Sequence, residues 1–213
     1  MKFSFFGDTH GNLEQFKAYQ KEGNYDALFH VGDFSPEPQD WHDFVSYRNS
    51  KTFIVTGNHE DFPTVKALRA SYPNYSGILH GSGLIELGNK NAFYISGGIS
   101  MNKMSKDNYS PEEEIEGFAG IQLLDYFDKL TREVKIDLIV SHSAPRFIAR
   151  DIITCKYEHF ISSFTESLLE EIWHIHQPDL WVCGHYHEPF VTSKGDTQFQ
   201  ALGKNEVVEF VTD

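Results

Sequence analysis

The chain is punctuated by short runs rich in aromatic and β-branched residues, each closing on a polar or glycine-containing turn: KFSFFGD, YDALFHVGD, KTFIVTGN, AFYISGG, KIDLIVSH and DLWVCGH. Runs of this length bounded by such turns predict strands. Between them, apolar positions at three- and four-residue spacing predict helices over Leu13 to Glu22, Asp40 to Arg48, Pro63 to Ser71, Ala119 to Glu133 and Phe160 to His176. In the last of these, Ile161, Phe164, Leu168, Ile172 and Ile175 fall on one face. His174 and His176, near its C-terminus, are expected to cap the helix or face water. Strand and helix alternate, so the pattern predicts an α/β domain with its site outside the carboxyl ends of the strands. The C-terminal EPFVTSKGDTQFQALGKNEVVEFV alternates and holds two glycine-containing turns. It predicts antiparallel strands, and therefore a mixed β architecture.

At 213 residues the chain is expected to form a single domain over 1–213. The segment MNKMSKDNYSPEEE, residues 101–114, interrupts the pattern. It reads as a solvated loop ending in a Pro-Glu helix start, or, functionally, as a lid beside the site. Lys and Arg number 18 against 31 Asp and Glu, a formal charge of −13. That balance argues against a broad basic surface for nucleic acid, while leaving a small or local nucleic-acid substrate open. Carboxylates gathered around bound cations would count as uncompensated in such a sum. No apolar run approaches the ~20 residues that span a bilayer. MKFSFFGD lacks a signal-peptide pattern, and Cys155 and Cys183 have no close spacing, so a cytoplasmic protein with free thiols is expected.

Candidate chemistry sits at the strand ends. GDTHGN sets Asp8 and His10 two apart, where both can point to one side and grip a divalent ion. VGD supplies Asp33, TGNHED supplies Asn58 and His59, VSHSAP supplies His142, and CGHYHEPF supplies His185 and His187. Each has a bland reading, as a turn-capping Asp or Asn or a rim histidine satisfied by a hydrogen bond. Their shared position at one end of successive strands favours a common site. His30, three positions from Asp33, is expected to face the core. His42, His80 and His159 fall outside every motif and read as surface or structurally satisfied residues.

The ordered set GDTHG, GD, GNHE, SH and GHYH, spanning residues 7–187, resembles the calcineurin-like metallophosphoesterase superfamily. The resemblance implies an α/β fold built as a β-sandwich of mixed sheets flanked by helices, in four α/β/β/α layers. It also implies a dinuclear centre in which Asp8, His10 and His187 bind one metal, Asn58, His142 and His185 bind the other, and Asp33 bridges them. Such oxygen and nitrogen donors suit Mn²⁺ first, with Fe, Zn²⁺ or Ni²⁺ as alternatives, roughly 3.5–4 Å apart. The implied reaction is in-line attack of a metal-bridging hydroxide on phosphorus, with His59 as the general acid that protonates the leaving group. The competing role for His59 is to orient a phosphate. Cys183 is left outside the ligand set and is expected to pack as a small hydrophobe.

The chain departs from the protein-phosphatase branch, in which the second motif continues as GDxxDRG. Here it reads GDFSPEP, so Pro36 replaces the Asp that pairs with the acid, and the phosphate-binding Arg is missing. Asp61 or Glu37 is a candidate to orient His59. Arg146 and Arg150 are candidates for phosphate contacts through their forked guanidinium groups, with surface ion pairing as the competing role. The substrate expected is a small phosphomonoester or phosphodiester. A nuclease, a protein phosphatase of the same superfamily, and a metal-binding scaffold without turnover are the alternatives.

Overall fold

A computed structural model describes residues 1–47, 50–73, 77–98, 117–154 and 162–212. The 101–114 segment, Arg48, Cys155, His159 and Ile161 lie outside the described residues. Strands β1 (Lys2–Phe6), β2 (Ala27–His30) and β3 (Thr52–Val55) alternate between two cores. Phe3, Phe5, Phe29 and Val55 meet Val140, Val182 and Leu202 of the second sheet. Phe6, Leu28 and Ile54 turn the other way, onto Phe16, Trp41 and Val65 of helices α1 (Glu14–Glu22), α2 (Pro38–Tyr47) and α3 (Phe62–Ser71). A two-residue side-chain period buried on both faces explains why these strands are apolar nearly throughout.

The remaining strands are β4 (Ile78–Leu79), β5 (Ser82–Leu87), β6 (Lys90–Ile95), β7 (Leu138–Ser141), β8 (Leu180–His187), β9 (Phe190–Lys194), β10 (Thr197–Gly203) and β11 (Val207–Val211). The first sheet runs β11-β1-β2-β3-β4, and the second β5-β6-β7-β8-β10-β9. Each is mixed. The pairs β1–β2, β2–β3, β6–β7 and β7–β8 are parallel, while β1–β11, β5–β6 and β9–β10 are antiparallel. Helices α4 (Gly117–Glu133), α5 (Arg146–Thr154) and α6 (Phe164–Ile175) cover the outer face of the second sheet. The layers are thus helix, sheet, sheet, helix, as the family resemblance implies.

Several local expectations change. Helix α6 begins at Phe164, because Ser163 caps it: its hydroxyl accepts the Glu166 N–H while the Glu166 carboxylate accepts the Ser163 N–H. Its buried face includes Leu168, Leu169, Ile172 and Trp173, whereas Phe164 and Ile175, assigned to that face by spacing, are 45% and 36% exposed. His176 caps the helix C-terminus as expected, and its Nε2 donates to the Ile136 carbonyl at 2.7 Å. The C-terminal strands do not form one antiparallel unit. β10 pairs antiparallel with β9 but parallel with β8, and β11 crosses to the first sheet. Cys183 is free and buried against Trp181 and Phe199 in the core below α5 and α6. Among the described residues no helix is long and apolar enough to cross a membrane.

Candidate metal centre

The loops leaving β1, β2, β3 and β7, together with the end of β8, converge on one rim. They bring together Asp8 and His10, Asp33, Asn58 and His59, His142, and His185 and His187. β6 ends there too without a ligand candidate. Its Gly98 supplies room instead, since a Cβ at that position would lie 2.6 Å from Ser143 Oγ and 3.1 Å from the His142 ring. His10, Asp33, His185 and His187 all hold left-handed backbone, with φ of 47°, 50°, 72° and 57°. Non-glycine residues adopt this region at a cost of about 1–3 kcal/mol each, and such strain gathers at functional sites. Surrounding hydrogen bonds enforce it here: Thr9 and His10 N–H donate to the Asp33 carbonyl at 3.2 and 2.8 Å. The His185 N–H donates to Asp8 Oδ2 at 2.9 Å.

The side chains form two clusters joined by Asp33. In the first, one ligand atom from each of Asp8, His10, Asp33 and His187 lies within 4.8 Å of the others. His10 Nε2 and His187 Nε2 are 2.9 Å apart, and His187 Nε2 is 3.2 Å from Asp8 Oδ2. In the second, His142 Nε2 lies 2.9 Å from Asn58 Oδ1 and 3.2 Å from His185 Nδ1. Asp33 faces both: Oδ2 is 3.7 Å from His10 Nε2, and Oδ1 is 3.4 Å from His142 Nε2.

Electrostatics favour cations in both clusters. Burial, reinforced by the charge of Asp33 and opposed by His142, pushes the Asp8 carboxyl up to about 8. Asp33 is also desolvated, but His142, His59, His185 and His10 around it bring its carboxyl down to about 2. Burial lowers His10 to about 4 and His185 to about 3, so both rings are neutral and offer lone pairs. His142 Nδ1 donates to the Val31 carbonyl at 2.9 Å, which fixes Nε2 as its free acceptor. Asp8 Oδ1 is buried without a hydrogen-bond partner. Among the described residues only histidines pair with Asp8 and Asp33. An orphaned carboxylate oxygen beside converging neutral imidazoles fits divalent cations of intermediate hardness.

His59 is exposed at the mouth, its ring centroid 5.5 Å from that of His10, and its backbone N–H donates to Asp33 Oδ1 at 2.9 Å. Neither candidate orienting residue reaches its ring. Asp61 caps α3 by accepting the Thr64 N–H, and Glu37 donates its N–H to Ser35 Oγ. The arginines are also engaged elsewhere: Arg146 forms a bidentate pair with Glu170 at 3.0 and 2.9 Å, and Arg150 pairs with Asp151 at 3.3 Å. His30 is buried and stacked on Phe6, with Nε2 3.1 Å from Thr9 Oγ1 and Nδ1 accepting the Gly32 N–H. It ties the first two loops together from behind. His80 is satisfied by Thr56 Oγ1 at 2.9 Å.

One residue of the site escaped the sequence reading. Glu60, the last residue of GNHE, is buried and accepts three backbone N–H groups. Oε1 takes those of Phe34 and Gly57 at 3.0 and 2.9 Å, and Oε2 takes that of Ser35 at 3.1 Å. Its motif position was the available signal, but its partners lie in another loop.

A protein-family profile described as calcineurin-like phosphoesterase matches residues 1–189. The chain belongs to that family. The family is one of metal-dependent phosphoesterases. Among solved structures, a candidate 5′-nucleotidase from Staphylococcus aureus, in complex with alpha-ketoglutarate, aligns with a TM-score of 0.58 at 16% identity. It covers 100% of this chain and 51% of its own, so the chain spans about half the length of that relative. The phosphopantetheinyl hydrolase of Mycobacterium tuberculosis aligns with a TM-score of 0.51 at 13% identity, covering 96% of this chain and 90% of its own. At these identities the likeness is one of fold. A comparison with curated protein sequences finds no match.

Proposed function

We propose that the chain is a single-domain, dinuclear metal-dependent phosphoesterase that hydrolyses a phosphomonoester or small phosphodiester. Asp8, His10 and His187 would hold one ion, Asn58, His142 and His185 the other, with Asp33 shared and Mn²⁺ as the first candidate metal. The observation that carries this reading is the placement of Asp33, one oxygen toward each cluster, at 3.7 Å from His10 Nε2 and 3.4 Å from His142 Nε2. Bound ions would supply Lewis-acid activation of water and neutralise phosphoryl charge. The protein's own part is geometric. Strained, hydrogen-bonded loops hold the donors in place, burial keeps His10 and His185 neutral, and exposed His59 at the mouth stands where it can protonate a departing alkoxide. A cytoplasmic setting completes the reading, supported by the free thiol of Cys183.

The test is metal analysis and turnover on the same sample. Protein loaded with Mn²⁺ is expected to retain roughly two ions per chain and to hydrolyse an aryl phosphate monoester or diester. Retention of one ion, or no turnover across monoesters, diesters and cyclic nucleotides, would refute it.

A further inference from the structure

The chain passes from the second sheet to the first across the rim of the metal centre. β10 runs parallel to β8 and sets Gly203 opposite His187, and β11 starts at Val207, opposite Phe6. The turn between them is fastened to the loop carrying Asp8. The Gly7 N–H donates to the Glu206 carbonyl at 2.8 Å, and the Asn205 N–H donates to the Asp8 carbonyl at 3.2 Å. The approach is close enough that a Cβ on Gly7 would stand 2.0 Å from the Gly203 oxygen. Inside the turn the Glu206 carboxylate accepts the Gly203 N–H at 2.7 Å. Asn205, at φ 53°, is the one described non-glycine residue with left-handed backbone outside the proposed ligands.

This rigid turn lies beyond the segment that defines the family, residues 1–189, and it carries one basic side chain, Lys204. Lys204 is exposed, and no carboxylate of the described residues pairs with it. Its backbone stands between Gly203, which lies opposite His187, and Asn205, which is bonded to the Asp8 carbonyl, so its stem starts at the rim of the first cluster. The other candidate cations are committed, Arg146 to Glu170 and Arg150 to Asp151, and GDFSPEP has no arginine.

We propose that Lys204 is a substrate-binding residue of this site, contacting non-bridging phosphoryl oxygens, and that it selects dianionic phosphomonoesters over monoanionic diesters. The inference rests on the phosphoesterase reading and names its substrate class. A monoester carries about −1.5 to −2 charge at pH 7, whereas a diester carries one negative charge. An ammonium acts on both as a point charge and so favours the first. The surrounding turn limits the reorganisation needed, while the flexible stem follows the phosphate.

The experiment compares Mn²⁺-loaded wild type, Lys204→Gln and Lys204→Arg at low ionic strength. Calorimetry with inorganic phosphate is run beside steady-state kinetics on 4-nitrophenyl phosphate and bis(4-nitrophenyl) phosphate. Lys204→Gln is expected to weaken phosphate binding about 10-fold and to raise the monoester KM by a similar factor. Its kcat should stay within about threefold, the diester KM should change less than about threefold, and Lys204→Arg should restore phosphate binding. Unchanged phosphate affinity in Lys204→Gln, or equal losses on monoester and diester, overturns the proposal. Should wild type turn over neither ester while the phosphate-binding difference persists, the functional reading fails and the role of Lys204 in anion binding is supported.

Discussion

Asp33 and Glu60 each hold the loop that carries the other. Asp33 Oδ1 accepts the N–H groups of Asn58 and His59 at 2.8 and 2.9 Å. Glu60 returns the contact to Phe34 and Ser35 at 3.0 and 3.1 Å. Two buried carboxylates thereby lock the proposed bridging ligand to the segment bearing the proposed acid. Burial and the charge of Asp33 raise the Glu60 carboxyl to about 8 against its three N–H donors, whereas Asp33 stays ionised, so the charge-assisted bonds, roughly twice as strong as neutral ones, are those to Asp33.

Glu60→Gln tests the lock. A carboxamide turns two N–H donors into a cage built from backbone N–H donors, so at least one buried group loses its partner, at a cost of about 1–3 kcal/mol. Urea unfolding should show that loss, and kcat should fall because Asp33 and His59 lose their fixed separation. A variant as stable and as active as wild type would show that the two loops are held by something else.

His59→Gln should lower kcat about 10²–10⁴-fold while leaving metal content unchanged. The discriminating measurement is leaving-group dependence. Protonation matters least for a good leaving group, so 4-nitrophenyl phosphate should lose less activity than an alkyl phosphate. A loss of equal size on both esters, or the departure of a metal ion, would remove His59 from the role of acid.

The share of this architecture that could be read from sequence follows a physical division. Strands such as ALFH and TFIV are buried on both faces and lead into GD or GN, so their type and their functional ends were legible together. The convergence of Asp8, Asp33, Asn58 and His142 was legible because parallel strands bring their carboxyl ends to one rim. Helix α5 and strands β4 and β5 were not. RFIARDIIT is a short helix following a motif loop, β4 has two residues, and β5 is a half-exposed edge strand whose glycine weakens the pattern. Glu60 and Lys204 were hidden for another reason. One acts on backbone groups of a distant loop, and the other is placed by β11 pairing with β1, neither of which local periodicity encodes.

Asp33→Asn should weaken both sites at once, because it removes one buried negative charge facing both clusters. Retained Mn²⁺ after dialysis should fall from roughly two ions per chain to one or fewer. The backbone bonds from Asn58 and His59 can survive on the amide oxygen, so the fold should persist and circular dichroism should match wild type. Loss of one ion with unaltered affinity at the other would show that Asp33 serves a single site.

Tyr186, between His185 and His187, ties the centre to α6. Its hydroxyl donates to Glu166 Oε1 at 3.0 Å and accepts the Ala144 N–H at 3.2 Å. Burial raises the Glu166 carboxyl above its ordinary 4.5, against the opposing hydrogen bonds from Ser163 and Tyr186. The folded state therefore keeps a proton that the unfolded chain has already released as pH climbs past that value. In that window the native state binds more protons, so the contribution of Glu166 to stability falls as pH rises. Glu166→Gln removes the titration and adds a pH-independent loss at the helix cap. The wild-type advantage over Glu166→Gln in urea unfolding should therefore shrink as pH climbs past 4.5. An advantage that grows with pH would mean that the hydrogen bonds from Ser163 and Tyr186 outweigh burial.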